Sequence, residues 1–152
     1  MKIYAAENDN YIGYVLVGDH DKEYCVGGFR KDDSREGLTQ GIERGLFFVL
    51  ANKPLHANES PSFYIMKSSR AHYNITTDDD LQEFKKEVNK SLHVKKFIKD
   101  TNLYYTCPVL ESYSERDKYF LMCADLQAKF QHQRDNLSLI HISEPTRPEP
   151  IS

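Results

Sequence analysis

Short apolar runs separated by polar turns open the chain. Lys2 to Ala6, Tyr11 to Val17 and Glu23 to Phe29 read as three strands, joined by turns at Asn8–Asn10 and Gly18–Asp21. Tyr11–Val17 carries the aromatic and β-branched residues that suit a pleated surface. Strands joined by short polar turns predict an antiparallel meander. The pattern then becomes helical. Leu38, Ile42, Leu46 and Val49 fall on one face of a helix running to about Asn52, which Asp33 or Ser34 can cap. Gly37, Gly41 and Gly45 form a second stripe on that helix. Each interior glycine costs a helix about 1 kcal/mol against alanine, so something is expected to pack very close to this stripe. Either the helix's own sheet or a partner helix across a subunit interface would serve.

A proline-containing loop, Lys53–Pro61, leads to a fourth strand, Ser62–Lys67. The polar, basic and aromatic segment Ser68–Asn74 follows it directly. Thr77 caps a second helix, with Asp78, Asp79 and Asp80 where negative charge meets the positive end of the helix dipole. Leu81, Phe84 and Val88 form its apolar face, and Lys85, Lys86, Lys90, Lys95 and Lys96 read as its solvated one. Leu103–Cys107 reads as a fifth strand, stopped by Pro108. Ser114 and Asp117 have capping-box spacing. They open a last helix to about Arg134, with Met122, Leu126 and Phe130 on its expected inner face.

From Ser138 the periodicity ends, and three prolines follow. SLIHISEPTRP resembles translated sequencing-adapter DNA. Residues 137–152 are therefore expected to be a disordered tail outside a single domain of residues 1–136.

Composition narrows the function classes. A net charge of −3 argues against a general nucleic-acid binder. Three cysteines, Cys25, Cys107 and Cys123, suggest neither a disulfide frame nor a zinc site, and fit a reducing cytoplasm. No apolar run is long enough to span a membrane, and the start has no signal-peptide pattern.

The order β-β-β-α-β-α-β-α resembles the ribonuclease H fold, an α/β arrangement with a mixed sheet. DSREGLTQGIERGLFFVL looks like that family's first helix and MCADLQAKF like its last. The resemblance implies a carboxylate cluster holding two divalent ions. The acids here are displaced. Glu7 stands one residue from the expected position near Ala6, and Glu36 one from Gly37. Asp125 stands one from Ala124, and the fourth strand ends in Lys67 and Ser68. The expectation is therefore no metal site, no catalytic set and no cofactor.

Cations replace the acids. Arg30, Lys31 and Arg35 flank the first helix, and Lys67, Arg70 and His72 follow the fourth strand. A helix N-terminus with arginines suits phosphate, and Phe29, Tyr64 and Tyr73 could stack on a base. The bland alternative is that the arginines pair with Asp32, Asp33 and Glu36. The candidate ligand site comprises Phe29, Arg30, Arg35, Lys67, Ser68, Arg70, His72 and Tyr73. Arg116 would approach from a third side or from a second subunit.

GGFRKDDSREGLTQGIERGL is also similar to the corresponding stretch of small phage counter-defence proteins, the Thoeris anti-defence sponges. That resemblance implies a homo-oligomer in the host-cell cytoplasm that sequesters a cyclic ADP-ribose signal intact. Two alternatives stand beside it. One is a nuclease using Glu7, Glu36 and Asp125. The other is a protein–protein adaptor using the glycine-striped helix.

Overall fold

Four strands form one mixed sheet in the order β3-β2-β1-β4. The computed structural model describes residues 1–18, 23–51, 60–67 and 77–143. Strands β1 (Lys2–Asn8), β2 (Tyr11–Val17) and β3 (Glu23–Arg30) make the expected antiparallel meander. Asp9 adopts φ 54° in the tight turn between β1 and β2, a left-handed conformation that a short polar side chain tolerates. Strand β4 (Ser62–Lys67) lies parallel to β1, with Lys2 opposite Ser62 and Glu7 opposite Lys67. This is a mixed α/β sheet, with β4 beside β1 as the resemblance to the ribonuclease H fold implies.

Strand β1 is buried on both faces, and its alternation assigns the layers. Ile3 and Ala5 face helix α1 (Gly37–Ala51), together with α2 (Asp78–Asn89) and α3 (Leu92–Thr101). Tyr4 and Ala6 face α4 (Glu115–Ser143), which lies on the opposite side of the sheet. The predicted apolar faces of α1 (Leu38, Ile42, Leu46, Val49) and of α2 (Leu81, Phe84, Val88) are buried. Thr77 caps α2 in a reciprocal capping box with Asp80.

The glycine stripe packs on its own sheet. A Cβ at Gly41 would come within 2.9 Å of Ile12 and 3.0 Å of Ala5, and one at Gly45 within 2.7 Å of Ile3. The stripe is therefore not the surface of an adaptor or of a subunit interface, because β1 and β2 already occupy it.

A second close approach lies on the other face. Gly13 and Gly28 pair across β2 and β3. A Cβ at Gly13 would fall on the carbonyl oxygen of Ala124, and one at Gly28 would lie 2.5 Å from that of Gln127. Helix α4 thus rests its backbone on the sheet through Ala124 and Ala128. This corrects the expected inner face. Phe120, Leu121, Ala124 and Ala128 point inward, while Met122, Leu126 and Phe130 are exposed. Only small side chains fit where glycine brings the sheet this near, so the larger stripe turns outward.

Further expectations are corrected by local chemistry. Neither Asp33 nor Ser34 caps α1. Glu36 Oε1 accepts from Leu38 N–H, and Asp32 instead accepts from the N–H and hydroxyl of Ser34. The single second helix breaks at Lys90, because Ser91 accepts from Val94 N–H and starts α3. Residues 103–107 make one parallel bridge, Ser62 with Thr106, rather than a fifth strand. Pro108 has no N–H to extend that ladder. The last helix continues past Arg134 to Ser143, and residues 144–152 lie outside the described residues. No helix among the described residues is long and apolar enough to cross a membrane.

Candidate binding site

The C-terminal ends of β1, β3 and β4 share one end of the sheet, because β4 is parallel to β1 and both β1 and β3 are antiparallel to β2. Helix α1 begins at the same end, with Gly37 over Ile12 and Glu7. The strand order nevertheless puts β3 and β4 on opposite edges. Three inter-strand spacings separate Arg30 from Lys67, roughly 14 Å at the backbone. The two halves of the predicted site therefore share an end of the sheet without adjoining. Ser68, Arg70, His72 and Tyr73 lie outside the described residues. Arg116 begins α4 at the far end of the sheet, beside Asp117, whose carboxylate lies 3.6 Å from Lys2. It stands about 28 Å along the helix axis from Asp135, which holds the Tyr11 hydroxyl near the site end.

The β3 half of the prediction does gather into a cleft. Phe29, Arg30, Lys31, Asp32 and Arg35 line a space of about 620 Å³ together with Gln40, Glu43, Arg44, Phe47 and Phe48 of α1 and His93 of α3. The entrance loop is pinned from α1. Gln40 accepts from Asp32 N–H at 2.9 Å and donates to the Asp32 carbonyl at 2.9 Å. Ser34's backbone N–H and hydroxyl hold the Asp32 carboxyl below the usual range. Arg35 donates to Glu43, which also accepts from the Ser91 hydroxyl. Arg35 is thus paired, though with Glu43 rather than with Asp32, Asp33 or Glu36. This links the loop, α1 and the start of α3 into one wall.

The guanidinium of Arg44 lies 4.5 Å from the centroid of the Phe29 ring, a cation–π arrangement that holds the charge at the mouth. Phe47 is 63% exposed beside it. Arg30 follows Phe29 and so turns to the other face of β3, where its charge also acts on Tyr11 and Asp135. The cleft therefore offers guanidinium donors, an imidazole and exposed aromatic surface along one wall, a set suited to an anion that carries a flat ring.

Arg44, Phe47, Phe48, Glu43 and His93 were not among the predicted site residues. One signal was present in the sequence. Phe47 is a large apolar side chain that falls off the Leu38–Val49 core stripe.

The displaced acids do not converge. Glu7 is 3% exposed, faces α1 and lies 3.4 Å from Lys31 Nζ. Asn8, the next residue, points the other way and donates to Asp125 at 3.0 Å. The sheet thus separates Glu7 from Asp125. Among the described residues no three His, Cys, Asp or Glu side chains are grouped to hold a metal ion.

No protein-family profile matches the sequence, and no curated protein sequence matches it significantly. Among solved structures, the chain is similar to ribonuclease H1 from the halophilic archaeon Halobacterium salinarum NRC-1, at 14% identity and a TM-score of 0.32. That similarity covers 74% of this chain and 89% of the archaeal one.

Proposed function

We propose that the chain binds a small, phosphate-bearing, nucleotide-derived molecule in the Phe29–Arg44–Phe47 cleft and holds it without transforming it. The observation that carries this reading is the Arg44 guanidinium stacked on Phe29, next to the exposed ring of Phe47. Arginine can grip phosphate oxygens with two parallel hydrogen bonds, which lysine does not reproduce. An aromatic face accepts a base by stacking. The cyclic ADP-ribose class combines both groups, and sequestering such a signal is the role implied by the resemblance to the anti-defence sponges.

The test is thermal shift and calorimetry with cyclic ADP-ribose, AMP and inorganic phosphate. Ligand at a hundred times its dissociation constant stabilises the fold by about 2.7 kcal/mol. Arg44→Ala and Phe47→Ala are each expected to weaken binding by about tenfold to a hundredfold. Chromatography after incubation is expected to return the ligand intact. No thermal shift with any of the three compounds, or turnover of the bound one, would overturn the reading.

A further inference from the structure

The outward face of α4 carries an exposed apolar stripe. From Glu115 to Leu137 the exposed side chains are five large apolar ones, four cations, two amides and one acid. Tyr119, Met122, Leu126, Phe130 and Leu137 are 44–59% exposed. They fall within an arc of about 80° and extend about 27 Å along the axis. The arc lies opposite the buried face of Phe120, Leu121, Ala124 and Ala128. The cations Arg116, Lys118, Lys129 and Arg134 flank it on both sides. Lys118 pairs with Glu115, an exposed pair of the kind that contributes little, and Lys129 reaches back to the buried carboxylate of Asp125 at 3.0 Å. Cations are the prevailing exposed charge of this face, with Arg116 and Arg134 on one flank and Lys118 and Lys129 on the other.

We infer that the face docks an amphipathic helix of a partner protein, apolar along one stripe and acidic on its flanks. Three observations choose this occupant. Met122, Leu126 and Phe130 form an i, i+4, i+8 ridge, which packs into the grooves of a second helix in the commonest crossing class. The cations on both flanks would meet like charges if a second copy of α4 lay antiparallel on the first, whereas acidic flanks complement them. Gln133 sits inside the arc between Phe130 and Leu137, where hydrocarbon would strand its amide and a protein partner can hydrogen-bond it.

Fluorescence anisotropy tests the inference with a synthetic helical peptide. It carries leucines at i, i+4 and i+8 and glutamates on both flanks, and is compared with its lysine-flanked counterpart. The glutamate peptide should bind at least about tenfold tighter, and its affinity should fall as salt rises. Leu126→Glu should abolish binding while leaving the melting temperature unchanged, because the position is exposed. Lys118→Glu combined with Arg134→Glu, one exposed cation from each flank, should weaken binding by about tenfold. No binding, or equal affinity for both peptides, would overturn the proposal. A sedimentation mass of a dimer that reverts to a monomer in Leu126→Glu would assign the face to a second copy instead. Capture by phosphatidylglycerol vesicles that Leu126→Glu abolishes would assign it to a membrane surface. Either result would also overturn the helix partner.

Discussion

The two faces of the sheet solve the same packing problem from opposite sides. Toward α1 the small residues are on the helix, and the branched side chains of Ile3 and Ile12 are on the sheet. Toward α4 the small residues Ala6, Gly13 and Gly28 are on the sheet, and the helix brings its backbone. The consequences differ. A side chain pressed by a new methyl group can shift a little, whereas a backbone carbonyl in a hydrogen-bonded helix cannot. The face set by helix backbone should therefore be the less forgiving of the two.

Gly13→Val breaks the comparison at its strictest point. Its Cβ would meet the Ala124 carbonyl, so a loss of at least about 3 kcal/mol is expected in chemical denaturation, or no folded protein at all. Stability within about 0.5 kcal/mol of the parent would show that α4 can lift from the sheet, and the close approach would then not be what sets its position.

Asp117→Ala should cost about 2 kcal/mol, because it removes the acceptor of the Tyr4 hydroxyl and one half of the capping box. The same group sets an acid limb. Burial pushes the Asp117 carboxyl up. The Ser114 N–H, the Tyr4 and Ser114 hydroxyls and the Lys2 charge outweigh burial and hold it below the ordinary value. Its contribution is therefore complete above the unfolded value of about 3.9 and is lost as pH falls through the folded one. The variant's stability should fall less steeply than the parent's below about pH 4. Parallel acid limbs in the two proteins would refute this assignment.

Gly41→Ala probes the gentler face. The new methyl would lie 2.9 Å from Ile12 Cγ2 and 3.0 Å from Ala5 Cβ. Its steric cost is partly offset by about 1 kcal/mol of helix propensity, which leaves a net loss of about 1 kcal/mol. A loss as large as that of Gly13→Val would erase the contrast between the faces.

Phe47→Ala should have the smallest effect, within about 0.5 kcal/mol of the parent's stability, because the ring is exposed. Its effect belongs to ligand affinity. A large loss of stability here would make Phe47 a structural residue and remove the aromatic plate from the proposed site.

Local pattern was enough wherever a residue's neighbours in space are its neighbours along the chain. The meander, the apolar faces of α1 and α2, the Thr77 cap and the Ser114–Asp117 box all rest on short-range geometry. The glycine period on α1 was equally visible, though not which surface it met. What needed the folded molecule were juxtapositions across strands. Gly13 and Gly28 lie far apart in sequence and become one notch only through pairing of β2 with β3. That notch decides which stripe of α4 turns inward, and the apolar period of α4 could not, because both of its faces are apolar. The candidate site divides in the same way. Phe29 and Arg35 could be read beside a helix start, while Arg44, Phe47 and His93 join them only because α1 and α3 lie on the face of the sheet to which Phe29 turns. The sheet order likewise sets Arg30 apart from Lys67. A one-dimensional pattern specifies which side of an element is apolar. Which surface meets which is decided by how closely two backbones can approach, and that depends on residues from separate parts of the chain.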